Sequence, residues 1–144
     1  MTRFRQDTKI EALRRAPLFE GLSRKQLQEL ARQTDDLEVP AGTLLCREGT
    51  IGREFCVIIE GEAEVTRNGA RLATCGSGDF FGEIALLENV RRTATVTATT
   101  RLRFFVLSSQ SFRAMLDADS TIERKILGAL ARRVTALSGD PTVA

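Results

Sequence analysis

Apolar positions along this chain change period twice, and the two changes divide it into three parts. Over residues 7–33, Ile10 and Leu13, then Leu27, Leu30 and Ala31, recur at helical spacing, which predicts helices with one buried face. Pro17 breaks this stretch. Ser23-Arg24-Lys25-Gln26 then has the form of a capping box, with Leu22 and Leu27 placed as a hydrophobic staple. From about 36 to 107 the period falls to two. Strands are predicted at 36–39, 43–47, 54–60, 62–67, 70–75, 94–99 and 101–107, with glycines between them. Asn68-Gly69 reads as a two-residue hairpin turn. After Ser108 the helical period returns. Phe112, Met115 and Leu116 share one short helix. Ser120-Thr121-Ile122-Glu123 reads as a second capping box, launching a helix striped by Ile122, Ile126, Leu130, Val134 and Leu137. Many short strands joined by glycine turns predict an α+β chain, mainly β: a sandwich or a jelly roll, such as an antiparallel β-roll, flanked by helices.

The boundaries that follow are an N-terminal helical segment at 1–35, a β-roll at 36–108, C-terminal helices at 109–138 and a flexible tail at 139–144. At 144 residues this is one domain, large enough for a sizeable core. A net charge of +2 with scattered arginines does not suggest nucleic acid as a direct partner. No apolar run is long enough for a membrane span or a secretory signal, so a cytoplasmic location is expected. Cys46, Cys56 and Cys75 each sit in an apolar strand pattern and read as buried, reduced thiols. The chain contains no histidine, which excludes Ser-His-Asp and Cys-His nucleophiles. It also weighs against metal ligation, so neither an enzyme nor a metal or cofactor is expected.

The chemistry concentrates in the segment from Phe81 to Val96. Gly82 can take a positive φ and lets a ligand approach the backbone. A helix starting near Glu83 presents unpaired N–H groups to an anion. Arg92, nine residues on, offers a planar fork suited to two phosphate oxygens. An ionised Glu83 only accepts hydrogen bonds, so beside a phosphate it makes sense on another group, such as a ribose hydroxyl. A nucleotide with a compact, singly charged phosphate fits this set.

At these residues the chain resembles the cyclic-nucleotide-binding domains of the catabolite activator protein, protein kinase regulatory subunits and cyclic-nucleotide-regulated channels. Their phosphate-binding cassette reads Phe-Gly-Glu-(Ile/Leu)-Ala-Leu, a spacer, then Arg-(Ala/Thr/Ser)-Ala. Phe81 to Leu86 and Arg92 to Ala94 match it within a cassette at 80–94, and Gly61-Glu62-Ala63-Glu64-Val65 resembles the family's β-roll. Many members carry proline where this chain has Arg91, although channel-type domains take arginine there. The resemblance implies a sensor for a cyclic purine mononucleotide. Arg92 is expected on the cyclic phosphate and Glu83 on the ribose 2′-hydroxyl, with Gly82, Ile84 and Ala85 giving backbone amides beside Thr93 and Ala94. It also implies a base wall of Val65, Ala73 and Cys75 and a C-terminal helical lid bearing Arg133, Val134 and Leu137. A Thr93 hydroxyl could bond the guanine 2-amino group, but one neutral bond nets only about 1 kcal/mol. Several cAMP-responsive channel domains also resemble Arg-Arg-Thr-Ala here, so the resemblance leans to cAMP and cGMP stays open.

The competing reading is a nucleotide-free β-roll serving as a protein interaction or dimerisation module through the Ile122–Leu137 stripe. A homodimer and fusion to an effector both stay open. Only seven residues follow Leu137, which leaves no room for a helix-turn-helix in this sequence.

Overall fold

A computed structural model describes residues 6–16, 19–82 and 91–138, with backbone alone at 6–8, 129–130 and 132–138. The order is α1 (Gln6–Arg15), α2 (Arg24–Gln33), β1 (Asp35–Val39), β2 (Leu44–Cys46), β3 (Glu54–Glu60), β4 (Ala63–Arg67) and β5 (Ala70–Cys75). It continues with β6 (Phe80–Phe81), β7 (Thr95–Ala98), β8 (Leu102–Ser108), α3 (Ser109–Ala118) and α4 (Ser120–Ser138). The strands form two four-stranded antiparallel sheets, β1-β8-β3-β6 and β2-β7-β4-β5. The antiparallel roll with helices at both ends is the predicted architecture.

The first sheet has apolar cover on both faces, and β3 shows why. Phe55 and Val57 enter a cluster with Leu13, Leu30, Phe112 and Ile126 from the helices. Cys56 and Ile58 turn the other way, into a cluster between the sheets with Phe81, Val96 and Phe104. A strand covered on both faces reads as a continuous apolar run, which is the form of Phe55 to Ile59. Phe55 is the aromatic hub of the helix side, with ring centroids 5.4 Å from Phe80, 5.9 Å from Phe112 and 6.4 Å from Phe19.

The capping box at Ser23 is complete. Gln26 N donates to Ser23 Oγ at 3.1 Å, and Ser23 N donates to Gln26 Oε1 at 2.9 Å. Lys9 fixes α1 across the end of α2, donating to the Ala31 carbonyl at 3.0 Å and the Thr34 carbonyl at 2.7 Å. The cation thereby adds to the bonds that Thr34 N and Oγ1 already make to the Ala31 carbonyl, at the C-terminal end of the helix where positive charge is favoured. Asn68 and Gly69 adopt φ of 52° and 80°, positive at both turn residues as the hairpin signal requires.

Two readings need correction. The second capping box is displaced by one residue: Asp119, not Ser120, caps α4. Its carboxylate accepts from Thr121 N at 2.9 Å and Ile122 N at 3.4 Å. The Thr121 N–H first, and the Ile122 N–H with it, hold the Asp119 carboxyl below its ordinary value. Ser120 is already the first residue of the helix, so Asp119 is the position whose side-chain oxygen reaches the free N–H groups. The second correction is β6, which pairs Phe81 with Cys56 and Phe80 with Val57. Two residues are too few to show any period.

Candidate functional site

The 91–93 segment is woven into the turn that precedes β3. Arg92 N donates to the Thr50 carbonyl at 2.7 Å, and Gly49 N donates to the Arg92 carbonyl at 2.9 Å. Arg91 Nη1 donates to the Gly49 carbonyl at 2.9 Å, and Arg91 forms an antiparallel bridge with Ile51. The backbone of Arg92 is therefore held on its partners before the side chain is considered.

That side chain crosses the face of Gly52. A Cβ placed on Gly52 would lie 1.8 Å from Arg92 Nε and 2.1 Å from Cζ, so only glycine leaves room for it. The guanidinium ends beside Gly82, where a Cβ would sit 2.7 Å from Nη1 and 2.6 Å from the Glu54 carbonyl. Gly82 has a φ of 84°, the left-handed conformation expected for the cassette turn. Arg92 Nη2 donates to the Glu54 carbonyl at 3.1 Å. Arg92 Nη1 is buried and has no hydrogen-bond partner among the described residues. A buried cationic donor without an acceptor is costly, and an anion beside Gly82 removes that cost. The residues present thus fit a phosphate.

Glu83, Ile84 and Ala85 lie outside the described residues, so their convergence with Arg92 rests on the sequence reading. Thr93 is exposed and its carbonyl accepts from Arg67 Nε at 2.9 Å; Ala94 is half-buried. Val65 on β4 stands opposite Ala73 on β5, and Ala63 stands opposite Cys75. With a period of two, Val65, Ala73 and Cys75 share one face of the hairpin. Cys75 is buried, Val65 half-buried and Ala73 exposed on that face. Arg133, Val134 and Leu137 fall on α4, but their side chains are outside the described residues.

All three cysteines are buried and free of disulfides. Burial pushes the Cys56 thiol far up, Cys46 and Glu54 add to the rise, and Arg92 opposes it. A protonated, desolvated thiol is a packing group rather than a nucleophile. Among the described residues no group of His, Cys, Asp and Glu could hold a metal ion. A separate groove of about 570 Å³ runs between α2, α3 and the start of α4, past Gln26, Glu29, Met115 and Asp119, and shares no residue with the cassette. The residues that sequence reasoning missed are Gly52, Glu54 and Arg67. Gly52 carried a signal only as a glycine three positions after Gly49; Glu54 acts through its backbone, which no side-chain pattern reveals.

A family model, the cyclic nucleotide-binding domain, matches residues 36–119. The chain belongs to that family. This cyclic nucleotide-binding domain is 37% identical to a cAMP-dependent protein kinase regulatory subunit of Schizosaccharomyces pombe, over 72% of the chain and 26% of the relative. It thus spans about a quarter of the length of that curated relative. Among solved structures, the N-terminal domain of a transcriptional regulator from Streptomyces coelicolor A3(2) has a TM-score of 0.77 at 28% identity, covering 89% of this chain and 93% of that one. The regulatory domain of Toxoplasma gondii PKA, solved with cAMP, has a TM-score of 0.70 at 30% identity, covering 81% of this chain and 46% of that one. The roll and its helical flanks are the fold of this family. Among the described residues no helix is long and apolar enough to cross a membrane.

Proposed function

We propose that this domain is a sensor whose ligand is a cyclic purine mononucleotide, cAMP in preference to cGMP. The observation that carries the reading is the buried, unpartnered Arg92 Nη1 beside Gly82. Arg92 keeps Nη2 on the Glu54 carbonyl and turns the rest of its fork to the cyclic phosphate. Gly82, Ile84 and Ala85 supply backbone N–H groups to the same phosphate, flanked by Thr93 and Ala94, and Glu83 accepts from the ribose 2′-hydroxyl. The base rests on the β4–β5 face bearing Val65, Ala73 and Cys75. Arg133, Val134 and Leu137 close over it, and a ligand that touches α4 only when closed shifts the population toward closure. The similarity to a cAMP-dependent kinase regulatory subunit and to a kinase regulatory domain solved with cAMP supports that choice of ligand.

In this reading the chain binds and reports; it catalyses nothing, and the effector it reports to is either a partner or a further domain. Isothermal titration with cAMP and cGMP tests it directly. Wild type is expected to bind cAMP more tightly, and Arg92→Ala to bind about ten- to 150-fold more weakly, from about 1.5–3 kcal/mol for charge-assisted bonds. Equal affinity in wild type and variant, or no binding by wild type, overturns the proposal. The second of these results favours the nucleotide-free interaction module.

A further inference from the structure

We infer that Arg67 is a positioning residue that latches the base-facing β4–β5 hairpin to the phosphate end of the site; this rests on the nucleotide reading above. Arg67 closes β4, two residues beyond Val65 and so on the same face, and is followed at once by the tight Asn68-Gly69 turn. Its Nε donates to the Thr93 carbonyl at 2.9 Å across 26 residues of sequence, next to Arg92. A second bond runs in parallel: Asn68 N donates to Glu48 Oε1 at 3.0 Å. Glu48 is tied in turn to the far side of the cassette, its N–H donating to Thr95 Oγ1 at 2.9 Å.

The consequence is geometric. A ligand that touches both the hairpin wall and Arg92 needs the two at one separation. Among the described residues β5 pairs with β4 alone and is the edge strand, while β4 is bonded on its other side to β7 as far as Thr66, opposite Thr95. Beyond Thr66 that ladder ends, so the turn end of the hairpin is free to splay unless something else holds it. Arg67 and Glu48 hold it, through one carbonyl and one amide. The neighbouring guanidinium of Arg91 is likewise turned onto a carbonyl, that of Gly49. Of the three arginines, only Arg92 has a buried donor with no partner among the described residues. Losing the latch lowers the fraction of molecules in the competent spacing, and apparent affinity falls by that fraction.

The test compares cAMP with ribose 3′,5′-cyclic phosphate, which keeps the phosphate and sugar but lacks the base. Both are titrated, the weaker by competition, into wild type, Arg67→Ala, Arg67→Lys and Glu48→Ala, with melting temperatures alongside. Arg67→Ala is expected to weaken cAMP binding about fivefold, the worth of one modest hydrogen bond, while the base-free ligand changes less than twofold. Lysine, which keeps a donor, restores most of the loss. Glu48→Ala opens the other bond and gives the same pattern, which covers the case in which Arg67→Ala does not fold. In ligand-free protein, Glu48→Ala also speeds amide exchange at Asn68. Equal cAMP affinity in all variants overturns the latch while leaving the nucleotide reading intact. Equal losses on both ligands also overturn it, because the residue would then serve only the phosphate. Absence of any binding by wild type overturns both readings.

Discussion

Replacing Gly52 with alanine isolates the path of Arg92 from its charge. The new Cβ would sit 1.8 Å from Nε, 2.1 Å from Cζ and 2.6 Å from Cδ, against an ordinary contact of about 3.5 Å. The guanidinium must therefore move by more than about 1.5 Å, and it loses both the Glu54 carbonyl and its place beside Gly82. Gly52 has a φ outside the left-handed region, so alanine brings no backbone strain of its own. Reduced freedom in the unfolded chain favours the variant by about 0.4–1 kcal/mol. Loss of the Arg92–Glu54 bond costs about 1 kcal/mol, so the net change in stability is near zero. Ligand binding, in contrast, loses what the arginine supplies, about 1.5–3 kcal/mol, or about ten- to 150-fold in Kd.

Two assays read this out: titration with cAMP and thermal denaturation of the free protein. A double-mutant cycle sharpens it. With Arg92→Ala already present, the added methyl has nothing to displace, so Gly52→Ala changes affinity no further. Wild-type affinity in Gly52→Ala refutes the argument, and so do losses that simply add across the two variants. Gly82→Ala is no substitute, because its φ of 84° mixes backbone strain with the steric effect.

Lys9→Met leaves the Ala31 and Thr34 carbonyls without their cation and is expected to cost about 1–2 kcal/mol, lowering Tm by about 2–6 °C in a thermal melt. Asp119→Ala removes the cap of α4 and is expected to destabilise the protein at neutral pH. Because the folded carboxyl is held below its ordinary 3.8, that contribution is complete above 3.8 and fades as pH falls through the folded value, so the Tm gap to wild type narrows in acid. The Cys56 thiol is shifted the opposite way: burial favours its neutral form, so its contribution is present below the ordinary 9.0 and declines as pH rises beyond it. Cys46, Cys56 and Cys75 should stay unlabelled by a thiol reagent in the native protein and react only on unfolding; rapid labelling of the folded state at neutral pH would contradict the burial argument.

The roll was legible because its inner positions obey a simple rule. Val96 and Ala98 alternate with Thr95 and Thr97 on β7, and Asn68-Gly69 permits hardly any turn but a tight hairpin. The helical layer was legible for the same reason, through the complete box at Ser23 and the buried pair Ile122 and Ile126. What escaped is set by distance in sequence or by backbone atoms. β6 exists only because β3 offers it an edge. The cap of α4 went to Asp119 because capping strength depends on which oxygen reaches the free N–H groups, not on motif form alone. At the site, the cassette motif marked Gly82 and Arg92, but not the passage over Gly52 or the carbonyl of Glu54. Those contacts join residues about 40 positions apart, as Gly52 is from Arg92, and follow from the fold rather than from a local pattern.

The place where Arg92 is held gives the site a mechanical address. Glu54, whose carbonyl accepts from Nη2, is the first residue of β3. The next residue, Phe55, is the aromatic hub of the helix-side core, packed on Phe19, Phe80 and Phe112. The one after that, Cys56, faces the inter-sheet cluster and feels the Arg92 charge. Three consecutive residues of one strand thus touch the Arg92 guanidinium, the core that seats α3 and α4, and the interior of the roll. Close-packed cores do not deform continuously, so a shift of Glu54 with Arg92 would have to be taken up by discrete repacking around Phe55. Adjacency of this kind is not coupling in itself. It does mark a route by which occupancy at Arg92 can reach the helix-side core, beside direct contact of ligand with α4: the short start of β3, rather than the β4–β5 hairpin, which contributes no residue to the helix-side cluster.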